Sequence, residues 1–264
     1  MLEFPFFQRA LIGIVLISVA MAITGVYVMS RRLVFISGGI THACFGGLGL
    51  GYFLGVSPVA MAAVFAVGGS LGVEWLSRRG GVRSDSAIAV VWAVGMALGA
   101  LFIFLGSGYV PQLNTFLFGN VLTVSYADLW IFSGFTLLLG IFFLLFHRTI
   151  VAVSFDQPFA RVNRMPVTFI NVAMTLFVSL AIVLSIRMVG IMMLMSLLSL
   201  PQMIAETRCR RYQGLVVWSL IISVAGCVGG LFIAAAIGVP ASAAIVLLLA
   251  LLFIVAKLLP GRVR

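Results

Sequence analysis

Apolar residues run along this chain in long blocks, separated by short polar or basic punctuation. A helix needs about 20 consecutive apolar residues to cross a bilayer. Nine stretches approach or exceed that length, at approximately 10–29, 33–54, 57–76, 87–107, 128–147, 168–187, 189–205, 213–237 and 241–259. The seventh is short and carries Pro201, and the second is glycine-rich, so a broken or re-entrant segment at either would leave eight. The pattern predicts an all-α, polytopic integral membrane helix bundle of about nine spans, with eight as the alternative, forming one transmembrane domain over 1–264. Of the longer connections, 77–86 is arginine-rich and 148–167 is polar and basic. The connection 108–127 carries no lysine or arginine; it holds Pro111, Asn114 and Asn120, and its Phe116, Leu117 and Phe118 predict a short interfacial helix.

Composition agrees with this pattern, at 63% hydrophobic and 8% charged residues with a mean hydropathy of +1.28. The formal charge of +10 would suit a nucleic-acid binder, but its distribution argues for topology instead. With nine spans and the N-terminus outside, only Arg9 and Arg187 of the 16 lysines and arginines fall on the external side. That is the positive-inside asymmetry, and it predicts N-out, C-in with no nucleic-acid partner. The first apolar run is too long for a signal peptide and its basic flank, Arg31 and Arg32, follows it, so it reads as a first membrane helix. Cys44, Cys209 and Cys227 are scattered and set up no disulfide framework.

Candidate chemistry begins at His42, deep inside the second stretch. A titratable group at bilayer depth is costly and faces a bundle interior or a pathway. His42 lies on the row Gly38, His42, Gly46, so backbone is exposed one turn above and below the imidazole. An interhelical hydrogen bond is the bland alternative to a permeation-path role. Thr41 and Ser37 are weaker candidates, because hydroxyls in membrane helices commonly satisfy backbone carbonyls. Gly47, Gly51 and Gly55 form a small-residue row suited to close helix packing, within the subunit or across a dimer. Glu74 stands four and five residues before Arg78 and Arg79, the spacing of an interfacial ion pair. Met192, Met193 and Met195 cover more than one helix face and read as packing.

Several function classes are excluded. There is no phosphate-binding G-x-x-x-x-G-K-[ST], no H-E-x-x-H and no nucleophile elbow, and only 6 carboxylates, none squarely mid-membrane. The chain is therefore read as no enzyme in its own right, and uphill transport would draw its energy from a partner. Within the cytoplasmic connection, 156–166 has the form of a docking element. Asp156 can cap a short helix with Pro158 in its first turn, Phe159 and Ala160 supply a small apolar face, and Arg161 and Arg164 supply charge.

Four blocks in order along the chain resemble the membrane-spanning permease subunit of bacterial ABC importers for zinc, manganese or iron ions. Arg31-Arg32-Leu33 leads to Gly39-Ile40-Thr41-His42-Ala43, similar to R-R/K…G-D-x-x-x-H-A. Asp85 is followed by Leu117-Phe118-Gly119-Asn120-Val121-Leu122, similar to L-F-G-[DN]-[IL]-L. Asp156, Phe159 and Ala160 with Pro166-Val167 resemble the coupling segment, at about 150–167. Val189-Gly190 with Ser196-Leu197-Leu198 and Pro201 is similar to V-G-x-x-L-x-x-S-L-L-x-x-P. Three positions depart from the family: Gly38 and Gly238 stand where acidic residues are usual, and Arg164 stands at a usual glycine.

The resemblance implies a homodimer in the bacterial plasma membrane, joined by cytosolic ATPase subunits and an extracytoplasmic metal-binding protein. It implies passage of a divalent ion past His42, with Asn114, Asn120 and Thr41 as weaker contacts, and ATPase coupling through Asp156, Phe159, Ala160 and Arg161. No permanently bound cofactor is expected; the ion is cargo. Imidazole without a carboxylate favours zinc over manganese or iron. The alternatives are a permease for a metal chelate or small organic solute, in which His42 only packs, and a stand-alone secondary transporter.

Overall fold

The computed structural model describes residues 4–78, 80–106, 119 and 121–259. These residues form ten α-helices: α1 (Pro5–Ser30), α2 (Ile36–Leu54), α3 (Pro58–Arg78), α4 (Ser84–Leu105), α5 (Tyr126–Phe155), α6 (Gln157–Val162), α7 (Val167–Leu197), α8 (Leu200–Glu206), α9 (Tyr212–Ile237) and α10 (Ala241–Leu258). A single 3-10 turn, Val121–Thr123, precedes α5. The protein is a polytopic helical membrane protein.

All nine apolar stretches are helical, but they do not behave as nine equal spans. Seven helical segments among the described residues are long and apolar enough to cross a membrane. The second stretch became α2, whose glycines and His42 dilute its hydropathy. The sixth and seventh run together as one 40-residue segment, Val167–Glu206. Straight, it would extend about 60 Å, twice a hydrocarbon core of about 30 Å. It is divided at Gly190, whose φ of 74° and ψ of 170° interrupt the helix, a region open in practice to glycine alone.

Local sequence explains the ends. Pro5 opens α1 and Pro58 opens α3, where the missing N–H costs nothing. Ser125 and Asp128 form a capping box on α5: the Ser125 hydroxyl accepts from the Asp128 N–H at 3.1 Å, and the Asp128 carboxylate accepts from the Ser125 N–H at 3.2 Å. Gly238 closes α9 in the left-handed conformation, with Pro240 just beyond it. The small-residue row Gly47, Gly51, Gly55 needs one correction. Gly47 and Gly51 face α3, but Gly55 is the left-handed end of α2 at φ 67°, and nothing lies within 4 Å of where its Cβ would be. A residue that stops the helix has already turned off the packing face.

Two groups of helices meet on α7. In the first, α2 lies between α3 and α4; in the second, α1 is the buried centre, covered by α5 and α9, with α10 packed on α9. α7 touches α3 and α2 on one side and α1 and α10 on the other. Polar ties reinforce the junctions. The Ser179 hydroxyl donates to the Ser70 hydroxyl at 2.7 Å between α7 and α3, and the buried Gln202 amide of α8 donates to the Met21 carbonyl of α1 at 3.0 Å. Gly25 leaves room for that amide, since a Cβ there would collide with it.

α2 and α4 approach each other closely along their backbones. A Cβ at Gly95 would stand 2.6 Å from Ala43 Cα and 2.7 Å from the His42 carbonyl, and one at Gly49 would stand 2.7 Å from the Gly99 carbonyl. The neighbouring atoms are backbone and cannot rotate away. Gly95→Val should therefore lower the thermal stability of the detergent-solubilised protein by roughly 1–3 kcal/mol or more. Gly134→Ala, where nothing lies within 4 Å, should leave the melting temperature unchanged or slightly raised; equal melting temperatures for Gly95→Val and wild type would refute the packing.

Candidate functional site

The glycine contacts of α2 put His42 directly against α4. Its imidazole stacks on the Trp92 indole, with ring centroids 4.3 Å apart and planes 17° from parallel. Its Nδ1 lies 3.0 Å from the sulfur of Met96, one turn further along α4. His42 and Trp92 are half-buried and Met96 is exposed on the surface of the subunit, so the imidazole is reachable from outside the single chain. Thr41 points elsewhere. It is fully buried and its hydroxyl donates to the Ser37 carbonyl at 2.6 Å, which corrects its reading as a path residue: successive helix positions do not share a face. Cys44 is buried as well, beside Val59, Ala62 and Val183, away from the His42 surface.

Gly38, where the resemblance leads one to expect a carboxylate, has no vacant place for one. A Cβ there would stand 2.8 Å from Trp92 Cζ3 and 3.0 Å from Met195 Cε. An indole and a thioether fill the space beside the imidazole. No group of three or more histidines, cysteines or carboxylates able to hold a metal occurs among the described residues. Asn114 and Asn120 lie outside them.

The segment expected to dock a partner contains the helix α6. Asp156 caps it, its carboxylate accepting from the Phe159 N–H at 2.9 Å. Phe159 is 55% exposed and Val162 84% exposed, whereas Ala160 is fully buried. The apolar face expected from Phe159 and Ala160 is therefore split, and Ala160 is corrected to a residue that seats α6 on the bundle. Adjacent positions diverge by about 100° around a helix, so the outward pair is Phe159 and Val162, with Arg161 exposed beside them. Arg164, at the usual glycine position, has φ 54°. That is a left-handed turn, and an arginine bears its cost.

A buried amide ties α6 to the membrane helices. Asn171 of α7 is fully buried, and its side-chain oxygen accepts from Arg31 Nη1 at 2.9 Å and from the Tyr27 hydroxyl at 3.2 Å, both on α1. The Gln157 amide, assigned with its oxygen toward these donors, accepts from Asn171 Nδ2 at 3.1 Å and Arg31 Nη2 at 2.8 Å. Arg31 also donates to the Val153 carbonyl at the end of α5. Beside this network opens a polar cleft of about 1020 Å³, lined by Arg31, Arg32, Gln157, Glu206, Arg210 and Lys257.

At the opposite end, Arg187 pairs with Asp128 at 3.4 Å and Arg9 lies 5.1 Å over the Tyr126 ring. The two arginines set apart by the charge count thus share the entry to α5. Gly119, with φ 61°, packs on the break in α7; a Cβ on it would collide with Gly190 N and Val189 C. Two blocks of the resemblance, far apart in sequence, meet here. Gly238 ends α9 beside an apolar cavity of about 650 Å³ lined by Phe4, Phe6, Phe7 and Pro240.

Reading the chain alone missed Trp92, Met96 and the Asn171 network. Trp92 and Met96 are ordinary residues of an apolar helix and carry no signal. Asn171, an amide in the opening of an otherwise apolar span, was the one legible clue.

Residues 3–259 match the ABC 3 transport family. Over 257 residues the chain is 31% identical to the chelated iron transport system membrane protein YfeD of Yersinia pestis, covering 96% of this chain and 85% of that one. It is 28% identical over 256 residues to the manganese transport system membrane protein MntC of Halalkalibacterium halodurans, covering 97% and 88%. Among solved structures it resembles PsaBC from Streptococcus pneumoniae in complex with Fab, with a TM-score of 0.86 at 25% identity over 98% of this chain and 94% of that one. The match spans every described helix, from α1 to α10: the chain belongs to the ABC 3 transport family.

Proposed function

We propose that the chain is the membrane-spanning permease subunit of an ATP-driven importer of divalent metal ions, with zinc favoured over manganese or iron. The observation that carries the reading is His42: a half-exposed imidazole on a membrane helix, in a chain whose relatives are named for manganese and chelated-iron transport. The ion passes His42 in transit. One imidazole holds it briefly, because stable zinc sites take three or four protein ligands, and a conduit works only if its cargo leaves. The preference for zinc rests on nitrogen without a neighbouring carboxylate, Gly38 being packed against Trp92 and Met195.

The rest of the machine is assigned by the same reading. A second copy of the chain completes the pathway, an extracytoplasmic binding protein delivers the ion, and cytosolic ATPase subunits seat on α6. The exposed Phe159 and Val162 are the apolar contacts for the ATPase, and the Arg31–Asn171–Gln157 network carries its movement to α1 and α7. The orientation is N-out, C-in, which puts α6 and the basic cleft inside the cell. A permease for a metal chelate is the second reading. The name of the Yersinia relative favours it, as does a His42 surface without carboxylates.

His42→Ala should reduce zinc-dependent uptake about tenfold or more while the permease stays in the membrane at normal amounts; uptake at the wild-type rate across a range of zinc concentrations would leave the imidazole as packing. Phe159→Ala removes an exposed apolar anchor at a cost of about 2 kcal/mol of partner binding, so ATPase co-purification and transport should both fall, and normal values for both would make α6 an ordinary loop helix. In a background lacking Cys44, Cys209 and Cys227, a cysteine at Ser84 should react with an impermeant maleimide only after the cell is opened. Labelling of intact cells would overturn the orientation.

A further inference from the structure

We propose that Met96 is the second contact of the ion at His42, and that its thioether, on a surface with no carboxylate, makes the pathway discriminate against manganese in favour of borderline ions such as zinc and iron(II). This deepens the metal-import reading and rests on it. Three observations carry it. The sulfur of Met96 is 3.0 Å from His42 Nδ1. Trp92 stacks on the imidazole and so holds the ring plane that aims Nδ1 at this sulfur. Trp92 and Met195 take up the space at Gly38, so an oxygen ligand cannot stand one turn away without displacing them.

The distance fits a pair that opens to admit an ion. With metal–nitrogen and metal–sulfur bonds of about 2.0 and 2.3 Å, a nitrogen and a sulfur on one tetrahedral ion stand about 3.5 Å apart. Met96 must therefore give way by about half an ångström, which an exposed, unbranched side chain with three rotatable bonds does readily. With its proton on Nδ1 the imidazole donates to the sulfur; when an ion takes that nitrogen, the proton passes through water to Nε2 and the ring stays neutral. Thioether and imidazole suit zinc and iron(II), whereas manganese prefers carboxylate and water oxygens. A thioether is also a weak ligand, which suits transit better than storage.

The test uses the whole importer in cells, with radioactive zinc and manganese supplied separately and together. Met96→Leu keeps the side-chain volume and removes the sulfur. Zinc uptake should fall about tenfold with little change in manganese uptake, so the zinc-to-manganese ratio drops by the same factor. Met96→Asp should move the ratio further toward manganese. An unchanged ratio in Met96→Leu, at wild-type amounts of permease in the membrane, overturns the proposal, and so does an equal loss of both ions, which marks Met96 as packing. If the wild-type importer carries neither ion, the metal-import reading itself falls and this proposal with it; if it carries zinc and Met96→Leu behaves as wild type, this proposal alone falls.

Discussion

Close backbone contact between α2 and α4 is the constraint on which the rest of the site depends. Lipid tails are as apolar as leucine, so no hydrophobic force pulls two membrane helices together; van der Waals packing and a few hydrogen bonds must do it. Gly46 and Gly49 of α2 meet Gly95 and Gly99 of α4, and with no Cβ at these positions the two helices come near enough to touch along their backbones. On the opposite side of α2, Gly47 and Gly51 meet Met61, Ala62 and Pro58 of α3. α2 is thereby held on two faces, and His42 is carried to α4 at a fixed height, beside Trp92 and Met96. Wider spacing would separate the imidazole from both.

A second principle governs the polar groups. Burying an unpaired amide or guanidinium in a membrane protein is costly, so such groups collect partners from several helices. Asn171 does this at one end of the bundle, joining α1, α6 and α7, and Gln202 does it for α8 and α1. At the other end, Gly119 lies on the break at Gly190. The amide network links α6 to both α1 and α7.

The departures from the family pattern have physical explanations. Arg164 keeps the left-handed turn of a glycine position at φ 54°, which costs a residue with a Cβ roughly 1–2 kcal/mol. Gly238 stands in a left-handed helix end with open space around it. Gly38 is different, because Trp92 and Met195 occupy the volume a side chain would need.

Much of the architecture was legible in the chain. Bilayer thickness sets the length of a span, so the nine apolar stretches all appear as helices, and Asp156 followed by Pro158 marked α6. His42 stood out because a titratable group in an apolar run is expensive. Packing decided the remainder. Whether Val167–Glu206 is one span or two depends on a backbone angle at Gly190, and hydropathy averages over that angle. Whether Phe159 or Ala160 faces outward depends on which side of a six-residue helix meets the bundle, and a helix that short has no periodicity to reveal it. The pairing of His42 with Trp92 and Met96 arises from residues some 50 positions apart on another helix, which look like lipid-facing bulk until two glycine rows bring the helices together. Local composition determines where a membrane chain becomes helical; only the contacts between helices determine which side chains share a space.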